Sequence, residues 1–203
     1  MTKWQRLANT ELLNLLQNPS SGNENNIPGL LEPPMVRTKR IESLFTAYWI
    51  LLLVGNLLAL LGIITKIFGI DTFVLIAAAV IEYVLLYRLW QVIQDGYART
   101  TPGKAIGYMF IPGFNIYWIF QALPGLSTDM NAFITRYQIP VKLLPVGLAV
   151  TIPILTLISI AFVSIPNGGN ILSYSIARIL SILLFVTFFQ WKNAATRIIA
   201  QQQ

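Results

Sequence analysis

Glu82 and Arg178 are the residues of this chain best suited by type and place to do chemistry. Both are ionisable and both lie inside long apolar runs, where an isolated charge is costly and is kept for packing or for function. Counted from the outer ends of their segments at about 1.5 Å per residue, they fall about 15 Å and about 10 Å deep, close enough for a guanidinium to reach a carboxylate. Asn56 sits near the same level in an earlier run, and Ser175 and Ser181 share a helical face with Arg178. These five residues form the expected intramembrane polar cluster. Mutual neutralisation that fixes helix packing ranks ahead of a solute or proton path, because a path normally shows more than one carboxylate. Histidine and cysteine are both absent, which removes imidazole acid–base chemistry, thiolate nucleophiles, disulfides and the usual zinc, haem and iron–sulfur ligands. The chain is therefore expected to have no catalytic residue, cofactor or metal site.

Positioning such a cluster requires spanning helices, and the composition supplies them. The 203 residues are 55% hydrophobic and 11% charged, so the lipid bilayer is the first expected partner. The net charge of +6 does not point to nucleic acid, because the cations flank apolar segments, where anionic headgroups attract them. Four segments, 44–64, 72–92, 143–165 and 171–191, are long and clean enough to cross a core that takes about 20 helical residues. Gly69 and Asp71 mark a turn between the first two, and Pro166, Asn167, Gly168 and Gly169 mark one between the last two. The expected fold is an all-α membrane protein whose four transmembrane helices form two hairpins.

A fifth apolar stretch, 105–123, interrupts itself with Pro112, Gly113 and Asn115. If it crossed, Arg136 and Lys142 would lie outside together with Lys192 and Arg197. If it dips and returns, eleven cations (Lys3, Arg6, Arg37, Lys39, Arg40, Arg99, Lys104, Arg136, Lys142, Lys192 and Arg197) lie inside and Lys66 alone lies outside. Retention of Lys and Arg on the cytoplasmic side then favours a re-entrant half-helix pair between the second and third spans, with both termini cytoplasmic. A kinked fifth span is the alternative. Within the re-entrant turn, Pro112 is expected to stop the first half-helix, Gly113 to allow the reversal and the Asn115 amide to cap freed backbone groups.

Ahead of the membrane domain, 41–203, lie two expected units. Residues 1–18 read as an amphipathic helix with Thr2 and Gln5 spaced as a capping box. Residues 19–40 read as a flexible linker ending in the basic juxtamembrane run Arg37-Thr38-Lys39-Arg40. Since no early apolar run precedes the first span, that span is expected to act as its own signal.

The run from Thr101 to Phe120, with Gly107-Tyr108-Met109-Phe110-Ile111-Pro112-Gly113-Phe114-Asn115-Ile116-Tyr117-Trp118 at its heart, resembles a stretch in an uncharacterised family of small bacterial integral membrane proteins. Those share a Gly-aromatic-x-x-Ile-Pro-x-x-Asn-x-Tyr-Trp pattern, sometimes followed by a tail like Gly125-Leu126-Ser127-Thr128-Asp129-Met130-Asn131. The similarity covers roughly residues 83–133. It implies a bacterial inner membrane and supplies no reaction.

The expected function is that of a non-enzymatic accessory or assembly subunit packing against other membrane-protein subunits. The alternative is a small oligomeric transporter or channel with a path near Glu82 and Arg178, in which a homo-oligomer is one form the assembly could take.

Overall fold

A computed structural model describes residues 33–65, 70–163 and 169–201. The helix expected over 1–18, most of the linker, and Gly69 and Pro166 to Gly168 of the expected turns lie outside the described residues, whereas Asp71 and Gly169 are helical. Those described fold into helices α1 (Pro34–Thr65), α2 (Ile70–Val92), α3 (Pro102–Gly107), a single 3-10 turn (Tyr108–Phe110), α4 (Phe114–Arg136), α5 (Val146–Val163) and α6 (Gly169–Gln201). No strand occurs among them. Three helices, α1, α2 and α6, are long and apolar enough to cross a membrane, and α5 is a shorter apolar one.

Several boundaries differ from the sequence reading, each for a local reason. The basic run 37–40 lies within α1 rather than at the end of a flexible linker, because Pro34 provides a fixed φ at the first helical position. Pro33 adds a carbonyl that accepts from the Val36 and Arg37 amides. The third apolar run becomes helical only at Val146, three residues later than expected, since Leu144 precedes Pro145 and is biased to extended backbone. The last helix runs ten residues past 191 to Gln201 because Ala194, Ala195, Ile198 and Ile199 are buried there.

Two registers fix how the long helices meet. Gly55 of α1 lies against α2, where a Cβ would come within 2.7 Å of Leu75 Cδ2, so the small residue is what allows the close approach. Phe45 lies 5.8 Å from Phe185 and 6.0 Å from Phe189, and Tyr48 lies 5.3 Å from Phe188, ring centre to ring centre. Further along, Asn56 meets Arg178. Increasing numbers in α1 thus meet decreasing numbers in α6, and the two run antiparallel. The core concentrates at one end of the bundle, around Phe45, Tyr48, Leu89, Trp90, Met130, Phe133, Phe188 and Trp191. At the other end Leu57, Leu60, Phe73, Ile76, Ile160 and Ile182 are all more than half exposed, an apolar surface that water does not tolerate over so wide an area. These helices are consistent with a multi-pass membrane protein.

Candidate functional site

The stretch 105–123 is not one continuous helix. Lys104 N donates to the Thr101 side chain at the α3 N-terminus, with Pro102 in the first turn. The 3-10 turn then ends at Ile111, whose φ of −85° and ψ of 112° are extended, as a residue before proline prefers. Gly113 follows with φ +79°, a conformation an L side chain resists, and the chain reverses into α4. The second arm does not stop at 123 as a half-helix would. It continues through Pro124 to Arg136, because the residues around that proline are buried and packing offsets the one lost hydrogen bond.

The two arms are held face to face. Trp118 Nε1 donates to the Ala105 carbonyl at 2.9 Å, while Tyr108 packs edge-on to Trp118 and Phe114 with ring centres 4.8 and 5.7 Å apart. The Asn115 amide does not act as a cap. Its backbone N–H donates to Ile111 O at 2.9 Å, and the carboxamide points outward, exposed, without a hydrogen bond to the described residues. Phe110, Ile111, Ile116 and Tyr117 are exposed beside it, so the hairpin presents an uncharged aromatic prong. One ring of the prong marks its reach: Phe110 lies 5.2 Å from Tyr83, nine residues before the α2 end at Val92, or about 14 Å along the helix.

The base of the prong is a clasp that sequence reasoning did not anticipate. The Arg99 backbone N–H and Nε both donate to Asp129, at 2.8 Å each. Arg136 pairs with Asp95 and stacks its guanidinium 4.3 Å over the Tyr97 ring. Burial, and then the Asp95 charge, raise the Tyr137 phenol above its ordinary range. Asn131 brackets the Leu144 peptide, its Oδ1 accepting from Leu144 N at 2.7 Å and its Nδ2 donating to Leu144 O at 2.9 Å. Trp191 of α6 is buried and donates to Ser127 Oγ at 2.7 Å. Asp95 and Arg99 precede the hairpin, and Asp129 and Arg136 end it, so the segment starts and finishes at the same end of α2. The tail pattern from Gly125 to Asn131 held the signal, since its polar positions supply Ser127, Asp129 and Asn131.

The intramembrane cluster divides into two levels. Arg178 donates to Asn56 Oδ1, whose own Nδ2 donates back to Leu52 O at 2.6 Å. Ser181 donates to Ala177 O at 2.9 Å within its own helix, and Ser175 is exposed. Glu82 stands apart and forms no ion pair with Arg178. The α1–α2 register explains this. With Gly55 opposite Leu75, Glu82 falls opposite Tyr48, eight residues or about 12 Å from the level of Asn56. Counting depth from segment ends missed the offset because it carries no information on the register between helices, which the Gly55–Leu75 and Asn56–Arg178 contacts set. Tyr48 is wholly buried, and its hydroxyl has no hydrogen-bond partner among the described residues.

No family model, curated protein or solved structure matches this chain.

Proposed function

We propose that this chain is a non-enzymatic integral membrane protein of four spans with both termini cytoplasmic, acting as an accessory or assembly subunit that docks on a larger membrane complex through a re-entrant hairpin. The observation that carries the proposal is the prong: an uncharged aromatic reversal, rigidly clasped at its base, with an unbonded carboxamide at its tip. The Asp95–Arg136 and Arg99–Asp129 pairs favour re-entry over a fifth span, because they join the two ends of the 102–136 segment. The Phe110–Tyr83 contact favours insertion of the tip into one leaflet, where a hydrocarbon core of about 30 Å would surround it. Lipid tails offer Asn115 no hydrogen bond, and an amide left bare in hydrocarbon costs several kcal/mol, which a polar group on a neighbouring subunit would relieve. Arg178 is engaged by Asn56, which supports a packing role for that pair over a solute path. The bacterial inner-membrane assignment rests on the motif resemblance alone.

Isolation from native membranes in mild detergent tests the reading. The wild-type chain is expected to carry a defined membrane subunit in fixed stoichiometry. Asn115→Leu should lose that subunit by roughly tenfold, equivalent to about 1.4 kcal/mol, with unchanged melting because that side chain is exposed. A chain that purifies alone as a homo-oligomer and carries solute in liposomes would favour the transporter instead.

A further inference from the structure

We propose that Glu82 is a proton-binding carboxyl in the bundle interior, kept neutral with the Tyr48 hydroxyl as its hydrogen-bond partner, and hence a site for covalent modification by a hydrophobic carbodiimide. Glu82, itself half-buried, shares the α2 face of Ala78, Leu85, Leu86 and Leu89, all buried. The Tyr48 side chain is 0% exposed and its hydroxyl has no partner among the described residues, an arrangement that costs stability unless a neighbouring group turns towards it. Opposite it in the register lies the flexible Glu82 side chain, whose protonated carboxyl can both donate and accept.

Among the described residues no cation balances Glu82, and Lys104 of α3, which also packs on α2, is exposed. Between Glu42 and Thr65, α1 carries Tyr48 as its one ionisable residue, and α6 carries none between Arg178 and Lys192. Arg178 is held about 12 Å away by Asn56, and Arg88, six residues along α2, donates to Gln91 Oε1 at 3.0 Å. On α2 itself Tyr83 and Tyr87 are the remaining ionisable neighbours. A carboxylate without a counter-ion in a low-dielectric interior takes up a proton rather than remain charged. The inference rests on α1, α2 and α6 lying in the bilayer and is independent of the accessory role.

Dicyclohexylcarbodiimide partitions into bilayers and reacts with protonated carboxyls. The carboxyl oxygen bonds to the central carbon, the acid proton passes to one nitrogen, and acyl transfer to nitrogen gives a stable N-acylurea with no leaving group. Wild-type protein in liposomes at pH 7 should carry one adduct on the Glu82 peptide, absent from Glu82→Gln. Infrared difference spectra across a pH titration of the wild type should contain a protonated-carboxyl C=O band that Glu82→Gln removes and Tyr48→Phe moves to higher frequency. Mapping the adduct and titrating the band in wild-type protein keep the test independent of whether a variant folds. An unmodified Glu82 with no such band would mean an ionised carboxylate and overturn the proposal, and a band indifferent to Tyr48→Phe would overturn the assigned partner.

Discussion

Replacing Arg136 with Gln is expected to lower the unfolding free energy by about 2 to 3 kcal/mol. The reason is the asymmetry of its ion pair: the Asp95 side chain is 2% exposed and that of Arg136 34%. Removing the guanidinium leaves a buried carboxylate without its counter-ion, still accepting from the Tyr97 amide at 3.0 Å, a change that costs about 3 to 5 kcal/mol in a fully buried pair and less here because one partner already meets solvent. The loss includes the stacking of Arg136 on Tyr97. Asp95→Asn should cost less than Arg136→Gln, and the double substitution should recover part of the Arg136→Gln deficit, as expected of directly coupled groups. Unfolding titrations in mixed micelles would read all three. An Arg136→Gln protein within about 0.5 kcal/mol of wild type would place the pair among ordinary surface contacts.

Asn131→Leu is expected to cost about 2 to 4 kcal/mol, because both polar groups of the Leu144 peptide lose their partner together and each buried unsatisfied group is worth about 1 to 3 kcal/mol. Leu144 is 7% exposed, so water replaces the lost bonds poorly. Asn131→Asp keeps an acceptor for Leu144 N and loses the donor to Leu144 O, so it should fall between wild type and Asn131→Leu. Hydrogen exchange at the Leu144 amide should accelerate in Asn131→Leu and far less in Asn131→Asp. Equal protection in both variants would remove Asn131 from the account of how α5 is anchored.

The parts of this fold that were legible in the sequence are those set by local chemistry. The apolar runs gave α1, α2 and α6 because length and hydropathy alone decide whether a helix suits a bilayer. Pro112 and Gly113 announced a reversal because each restricts or frees the backbone in a way no neighbour can undo. What stayed hidden depends on register between helices. Glu82 and Arg178 looked paired when depth was counted along separate segments, yet Gly55 sets α1 against α2 at a level that brings Glu82 to Tyr48. The clasp was hidden for the same reason: Asp95 and Arg136 lie 41 positions apart, and the hairpin that brings them together is itself a tertiary feature. Trp191 illustrates the ambiguity of an aromatic near a segment end, which suits an interfacial belt or a buried indole equally well until its neighbours are known.

The central claim is that the 102–136 segment enters the bilayer and returns, and cysteine accessibility tests it most directly on a chain that has no native cysteine. Thr135 and Lys142 are exposed beyond the clasp, and Ile116 is exposed on the prong. Single cysteines at Thr135 and Lys142 should resist an impermeant thiol reagent applied to intact cells and react once the inner face is opened, while a cysteine at Ile116 should resist it from both sides. Labelling of Thr135→Cys or Lys142→Cys from outside intact cells would mean that the segment crosses, and would replace the re-entrant hairpin with a fifth span.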